Sequence, residues 1–355
     1  MSPPPSSWPR PGLLVSIVVG LALAGCGPPS ALGRSGERGA AEGDASLTLL
    51  VLPDDGGRGL LDAMTGARRR VWMEMYLLTD DGALGALQAA RSAGADVRVL
   101  LEPAPYGDET ANQGAFATLA RAGVDVRWFA VPGGLVHAKV ILVDDAVWIS
   151  TANLTNAGLN RNRELMAVDT DTADVRRVES SWQTDAVGWS APATPGTPPG
   201  NEDSGSQARQ PRVIASPEDA RARLTAAVAG AVSAIDLEVE EISDADFTGN
   251  LIAARARGVE VSVVVPAGGD RSAATSAAAV RLATAGVDVH ATGGPTLHAK
   301  GMTVDGQVAY LGSVNFTRAS LDDNREVGLL FEDRTLVARI HDTIHHDRAS
   351  GTPLP

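Results

Sequence analysis

His137 and Lys139 stand two residues apart, and so do His298 and Lys300; each pair is written His-Ala-Lys. These are the only two lysines in a chain whose other basic residues, apart from histidine, are all arginine. A composition so biased toward arginine leaves solvated lysines rare, so these two positions require an ammonium. An ammonium is a compact, rotatable point charge that suits a phosphate oxygen. A neutral imidazole is a good nucleophile, and an imidazolium, with an ordinary pKa of about 6.5, is a usable acid. Downstream of each pair stand a hydroxyl and an amide, Thr151 and Asn153 in one case, Ser313 and Asn315 in the other. Nine residues beyond each amide come Asn162 and Asn324, and two further on Glu164 and Glu326. A carboxylate at that place can orient an imidazole and raise its pKa.

These residues belong to a duplicated unit. Ala-Gly-Val-Asp-Val occurs at 122–126 and 285–289, and Asn-Arg-Glu at 162–164 and 324–326, with offsets of 161 to 164 residues throughout. In the first copy, β-branched runs at 47–52, 71–77, 97–101 and 124–129 alternate with Ala-rich amphipathic stretches at 60–69, 82–93 and 112–122. The second copy repeats the order with strands at 234–239, 259–265, 287–290, 298–304 and 308–311. Such alternation predicts α/β lobes with βαβ units and a mixed, mostly parallel sheet covered by helices on both faces. A hairpin follows in the first copy, 137–143 and 147–150 around Asp144-Asp145-Ala146. Period-two alternation puts His137 and Lys139 on one face of its first strand, and His298 and Lys300 likewise. Asp144 and Asp305 have the opposite parity, which predicts that they brace the hairpin or the sheet. The segment 191–211, rich in Pro, Gly and Ser, separates the copies as a linker. The domain organisation is therefore 47–190 and 212–348 for the two lobes, with a tail at 349–355.

HAKVILVD, STAN and NRE in one copy, and HAKGMTVD, GSVN and NRE in the other, resemble the paired HxKxxxxD and GSxN motifs of the phospholipase D superfamily. The similarity extends over nearly all of the chain beyond the leader. The first copy departs in having Ser150 for Gly, Thr151 for Ser, and one residue fewer between Asp144 and Asn153. The resemblance implies two lobes related by a pseudo-twofold axis, with both motifs meeting in one cleft. It implies a catalytic set of His137, Lys139, Asp144, His298, Lys300 and Asp305. One histidine, assigned to His137, attacks phosphorus to give a phosphohistidine; the other, His298, protonates the leaving oxygen and later deprotonates the acceptor. Lys139, Lys300, Asn153 and Asn315, with Thr151 and Ser313, hold the phosphate, and Glu164 and Glu326 support. No metal and no cofactor is required. The implied reaction is phospholipid head-group hydrolysis or transphosphatidylation. The alternatives are a nuclease of the same superfamily, a cardiolipin-synthase-like phosphatidyltransferase, and a non-catalytic phosphate-ester-binding lipoprotein. Paired imidazoles in both copies argue against the last.

Composition narrows the partners. With 355 residues there is chain for two domains. A net charge of −13 disfavours sequence-independent nucleic-acid binding, which depends on clustered cations. Aromatic residues are only 4%, too few for base-stacking platforms, and one cysteine excludes a disulfide framework or a thiolate zinc cluster. That cysteine, Cys26, ends Leu23-Ala24-Gly25-Cys26 after an apolar run from Leu13. The run is short of the roughly 20 residues of a spanning helix and suits an export signal at 1–26. It resembles a bacterial lipobox, implying lipidated Cys26, a flexible tether at 27–46, and an exported, membrane-anchored protein on a periplasmic or cell-surface face. Both motifs lie in one chain, so a monomer suffices. His341, His345 and His346 fall on a C-terminal helix and are expected on its solvated face. His290 is expected to be structural or cleft-lining, the glycine-rich 54–59 a plain turn, and Tyr76 and Trp128 core residues.

Overall fold

Each repeat folds as three strand–helix alternations followed by an antiparallel meander and a closing helix. The first runs β1 (Leu47–Leu52), α1 (Arg58–Thr65), β2 (Arg70–Met75), α2 (Asp81–Ser92), β3 (Asp96–Leu101), α3 (Gln113–Arg121) and β4 (Asp125–Trp128). Then come β5 (Lys139–Val143), β6 (Ala146–Ser150), α4 (Asn156–Asn160), β7 (Glu164–Asp169) and α5 (Thr172–Ala186). The second runs β8 (Val213–Ser216), α6 (Ala220–Gly230), β9 (Ala234–Val239), α7 (Ala245–Ala256), β10 (Glu260–Val265), α8 (Ala273–Thr284) and β11 (Asp288–Ala291). It ends with β12 (Lys300–Val304), β13 (Val308–Gly312), a π-helical turn at Ala319–Asp323, β14 (Glu326–Phe331), α9 (Arg334–Ser350) and β15 (Thr352–Pro353). This computed structural model describes residues 44–187 and 210–355; Cys26, the leader and tether through 43, and the linker from 188 to 209 lie outside the described residues. The segment expected to be a tail instead completes α9 and adds β15 to the edge of the second sheet beside β11.

Local chemistry sets the helix starts. Asp80, Asp171, Asp244 and Asp333 accept hydrogen bonds from backbone N–H groups in the first turns of α2, α5, α7 and α9, and Ser272 does so for α8.

Both sheets are mixed, as expected, in the orders β1-β7-β6-β5-β2-β3-β4 and β15-β11-β10-β9-β12-β13-β14-β8. The expected dominance of parallel pairing is not found. Only β2-β3-β4 and β9-β10-β11 pair in parallel. The rest is antiparallel; β5 and β6, for example, are joined by the turn Asp144-Asp145, too short for a crossover helix. In addition, β1 and β8 join the far edges beside β7 and β14 rather than next to the strands that follow them.

One apolar core fills each lobe between its sheet and its outer helices. A third is shared: Leu165, Ala167, Trp182 and Val178 of the first repeat pack in one cluster with Leu311, Leu329, Val337 and Ile340 of the second. Small residues let the lobes approach. A Cβ on Gly134 would lie 2.2 Å from the Asp323 carbonyl oxygen, and one on Gly301 would lie 2.5 Å from Leu165 Cδ1.

Candidate active site

Where the lobes meet, each contributes backbone to the other's motif. His137 N–H donates to the Arg325 carbonyl (2.9 Å) and Arg325 N–H to the Leu135 carbonyl (2.8 Å). Symmetrically, His298 N–H donates to the Arg163 carbonyl (3.2 Å) and Arg163 N–H to the Thr296 carbonyl (2.9 Å). Each His-x-Lys segment is thus docked on the Asn-Arg-Glu segment of the opposite repeat.

The side chains cross in the same way. His137 Nδ1 lies 3.0 Å from both carboxylate oxygens of Glu326, and His298 Nδ1 lies 2.9 Å from the carboxylate of Glu164. Both glutamates are fully buried. Tying Nδ1–H to a carboxylate fixes the tautomer and leaves Nε2 free to react. The Asn-Arg-Glu motif divides its labour: Asn162 Nδ2 and Asn324 Nδ2 donate to Glu164 (3.3 Å) and Glu326 (3.4 Å). The arginines anchor the segment through buried ion pairs, Arg163 to Asp347 (2.6 Å) and Arg325 to Asp185 (2.8 Å). Sequence reasoning noted the motif but missed both arginines and the exchange of carboxylates.

Lys139 and Lys300 are buried beside the histidines, each donating to the carbonyl of its own motif histidine at 2.6 Å. Burial, reinforced by the neighbouring charge of Lys300, pulls the Lys139 pKa down to about 7. Burial also lowers His137, against the pull of Glu326. For Glu326 itself burial acts upward, yet His137 and Lys139 hold the carboxylate below its ordinary range.

The two half-sites differ in charge at the positions that follow β2 and β9. After β2 comes Tyr76, whose ring meets His137 edge-on (centroids 4.7 Å apart) and lies 5.0 Å from Lys139 Nζ. After β9 comes Glu240, 2.6 Å from Lys300 Nζ and 3.4 Å from His298 Nε2. Burial opposes its charge, but His298 and Lys300 hold it ionised. Asn315 Nδ2 also reaches Glu240 (3.4 Å), while its Oδ1 accepts from Glu241 N–H. Asn153 is placed equivalently, with a buried Oδ1 that has no hydrogen-bond partner among the described residues. Tyr76 was expected in the core and is instead in the cleft; Glu240 was not anticipated, although its register match to Tyr76 was available from the repeat.

Other expectations need correction. Thr151 and Ser313 were expected on the phosphate but are fully buried and bonded to the protein. Thr151 Oγ1 donates to Glu164 at 2.6 Å, and Ser313 Oγ bonds the backbone of Val327. Asp144 and Asp305, part of the motif's implied catalytic set, sit at the opposite ends of β5 and β12 from the histidines. Each accepts from three successive backbone N–H groups, Arg68 to Arg70 and Val232 to Ala234. They are left-handed turn residues, with φ of 52° and 55°, a conformation that aspartate tolerates better than most. Bracing, as their parity indicated, is what they do. The missing residue of the first copy is in this turn: Val143 pairs with Ala146, whereas Val304 pairs with Val308. The deletion is remote from the cleft, so both half-sites keep their spacing. Trp128 is 41% exposed, stacked on Phe116, and not core. His290 bonds Asp288; residues 54–57 form the turn into α1, and 58–59 are its first residues.

Comparison with known proteins agrees with this geometry. A family described as "Cardiolipin synthase, PLD-like domain" matches residues 60–185 and again 224–348. Cardiolipin synthase A of Pseudomonas entomophila is 40% identical over 129 residues, 35% of this chain and 26% of that protein. Cardiolipin synthase 2 of Bacillus anthracis is 32% identical over 126 residues, 34% of this chain and 24% of its own length. The aligned part thus spans about a quarter of these curated relatives. The crystal structure of phosphatidylserine synthase from Haemophilus influenzae superposes with a TM-score of 0.65 at 15% identity, covering 87% of each chain, a likeness of fold. The chain belongs to the cardiolipin-synthase type of phospholipase D-like family, with two copies of its domain.

Proposed function

We propose that the chain transfers a phosphatidyl group from a phospholipid to an alcohol acceptor through a covalent phosphohistidine. The observation that carries this reading is the pair of imidazoles, each with Nδ1 held by a carboxylate of the opposite lobe. The sequence alone favoured head-group hydrolysis; the similarity to cardiolipin synthases supports transfer, with water as a competing acceptor.

His137 is the nucleophile, since burial favours its neutral form. Its Nε2 attacks phosphorus as the bond to the leaving oxygen breaks, and His298 Nε2 gives that oxygen its proton. Glu240, 3.4 Å away, accepts a hydrogen bond from this nitrogen while it is protonated. The acceptor hydroxyl then gives its proton to His298 and its oxygen displaces His137. Glu326 stabilises the positive charge that develops on His137. Lys139, Lys300 and the amide of Asn153 face the nonbridging oxygens. A lipid anchor at Cys26 of an exported chain would keep this cleft at a bilayer surface, and one chain completes the site.

Vesicles of phosphatidylglycerol, incubated with the protein and a primary alcohol, should yield cardiolipin and phosphatidyl alcohol in excess of phosphatidic acid. Phosphatidic acid alone would make the protein a hydrolase, and faster cleavage of single-stranded DNA would make it a nuclease.

The lysine gives a second test. With a pKa near 7, Lys139 is cationic below that pH and loses its charge as pH rises through it. Inhibition by sulfate, whose own charge is constant here, should weaken by up to about tenfold per pH unit above neutrality. Lys139→Gln should remove both the dependence and most of the affinity. A sulfate affinity that stays flat to about pH 9 would show that the lysine keeps its proton.

A further inference from the structure

We propose that Asp236, His341 and His345 bind a divalent transition metal of the zinc class at a site separate from the catalytic cleft. His341 and His345 are one turn apart on α9, their rings stacked with centroids 4.0 Å apart. Beneath them, on β9, Asp236 Oδ1 lies 3.2 Å from His345 Nε2 and Oδ2 lies 3.8 Å from His341 Nε2. One donor atom from each of the three falls within 4.8 Å of the others. A tetrahedral zinc with bonds of about 2.0–2.1 Å separates neighbouring donors by about 3.3 Å, so side-chain rotations of at most about 1.5 Å bring the three atoms to that spacing.

The surroundings orient these donors. His341 Nδ1 lies 3.3 Å from Asp342 Oδ1, which leaves Nε2 as the free nitrogen facing Asp236. The Asp236 carboxylate is 10% exposed and is fixed by Ser262 Oγ at 2.7 Å and Thr303 Oγ1 at 3.5 Å. Hydrogen bonds of this kind to ligating carboxylates and imidazoles are what hold metal ligands in place. Two imidazoles and one carboxylate suit zinc, cobalt or nickel better than magnesium or calcium. Asp236 is four residues from Glu240 along β9, about 13 Å at strand rise, so this is not the catalytic pair.

The duplication supplies an internal control. Strand register and helix N-caps place Trp72, Arg98, Leu142, Glu179 and Gln183 of the first repeat opposite Asp236, Ser262, Thr303, His341 and His345. There Trp72 stacks on Trp182 (4.9 Å) under the Arg98 guanidinium, and Glu179 pairs with Arg70. Apolar and cation–π packing therefore satisfies the fold at this place. The second repeat instead has three ligand-type side chains and two hydroxyls trained on one of them, an exchange that packing does not require. His346 is exposed, as expected, while His341 and His345 are half-buried against β9, where a bound ion would tie the closing helix to the sheet.

The test uses the full chain without a histidine tag, dialysed against zinc or cobalt at about 10 µM, with bound metal measured by emission spectroscopy and cobalt by its ligand-field absorption. One equivalent per chain is expected, together with a zinc-dependent rise in melting temperature. The double substitution His341→Gln with His345→Gln removes both ligand nitrogens from half-exposed positions of α9 without adding a charge or a carboxylate ligand beside Asp236. It should weaken binding at least about 100-fold, and Ser262→Ala by about 10–100-fold. The His137→Asn/His298→Asn chain should keep its full equivalent. Binding that survives the helix double variant, or is lost with the cleft histidines, overturns the proposal. So does the absence of stoichiometric metal, which would leave Asp236 and His345 as an ion pair only.

Discussion

Asparagine at position 137, at position 298, or at both lowers phosphatidyl transfer by the same factor, on the order of 10⁴–10⁶-fold. The equality follows from the geometry. Each imidazole has its Nδ1 bound to a carboxylate carried by the other lobe, so neither half is a site on its own. With His137 gone no covalent intermediate forms, and His298 has no leaving group to protonate. With His298 gone the attack by His137 must expel an unprotonated oxygen. Once one member is lost, removing the second takes away nothing further. Single-turnover kinetics on the three variants decide the matter: losses that multiply in the double variant would mean two independent sites. Phosphohistidine trapped by denaturing quench at neutral to mildly alkaline pH, where the P–N bond survives, should appear in the His298→Asn chain and not in His137→Asn. The reverse pattern would exchange the two roles.

The parts that were legible in the sequence are those written twice. The His-x-Lys spacing, the hairpin that carries it and the Asn-Arg-Glu triplet recur at a near-constant offset, and period-two alternation places His and Lys together on a strand. The partnership between lobes was not legible. A pseudo-twofold axis exchanges equivalent residues, and nothing local distinguishes Glu164 serving His137 from Glu164 serving His298. The same blindness affected the sheets: β7, β8 and β14, continuous apolar runs without alternation, were not marked as strands, so β1 had no antiparallel partner to join. Thr151 and Ser313 were misplaced because a hydroxyl at a strand end can serve a buried acceptor as well as a substrate, here the Glu164 carboxylate for Thr151 and the Val327 backbone for Ser313. Tyr76 was misjudged because a large aromatic beside a buried strand looks like core until its partners, an imidazole and an ammonium, are seen.

The buried arginines give the second large effect. Arg163, from the first repeat, makes a bidentate pair with Asp347 on α9 of the second at 2.6 and 3.1 Å, and also reaches the Leu52 carbonyl and Asp54. Arg325 crosses in the opposite direction through a single bond to Asp185 on α5, and also bonds Glu218 of its own repeat. A further carboxyl lies by each arginine: Glu238, pushed up to about 8 by burial and by Asp347, and Glu74, shifted well upward by burial and by Asp185. Each guanidinium thus faces an aspartate and a glutamate, and burial shifts the glutamate toward its protonated form. Arg163→Met leaves Asp347 charged, buried and unpaired, and should destabilise the protein by about 3–5 kcal/mol, read from the urea midpoint. Adding Asp347→Leu to the same chain removes the orphaned charge and should recover most of that loss. If the double variant is instead less stable than Arg163→Met alone, the arginine acts through its Leu52 and Asp54 contacts and not through the ion pair. Even the recovered double variant should turn over slowly. Arg163 supplies the backbone carbonyl that holds His298 and immediately precedes Glu164, so loosening its segment misplaces the acid while leaving the fold intact.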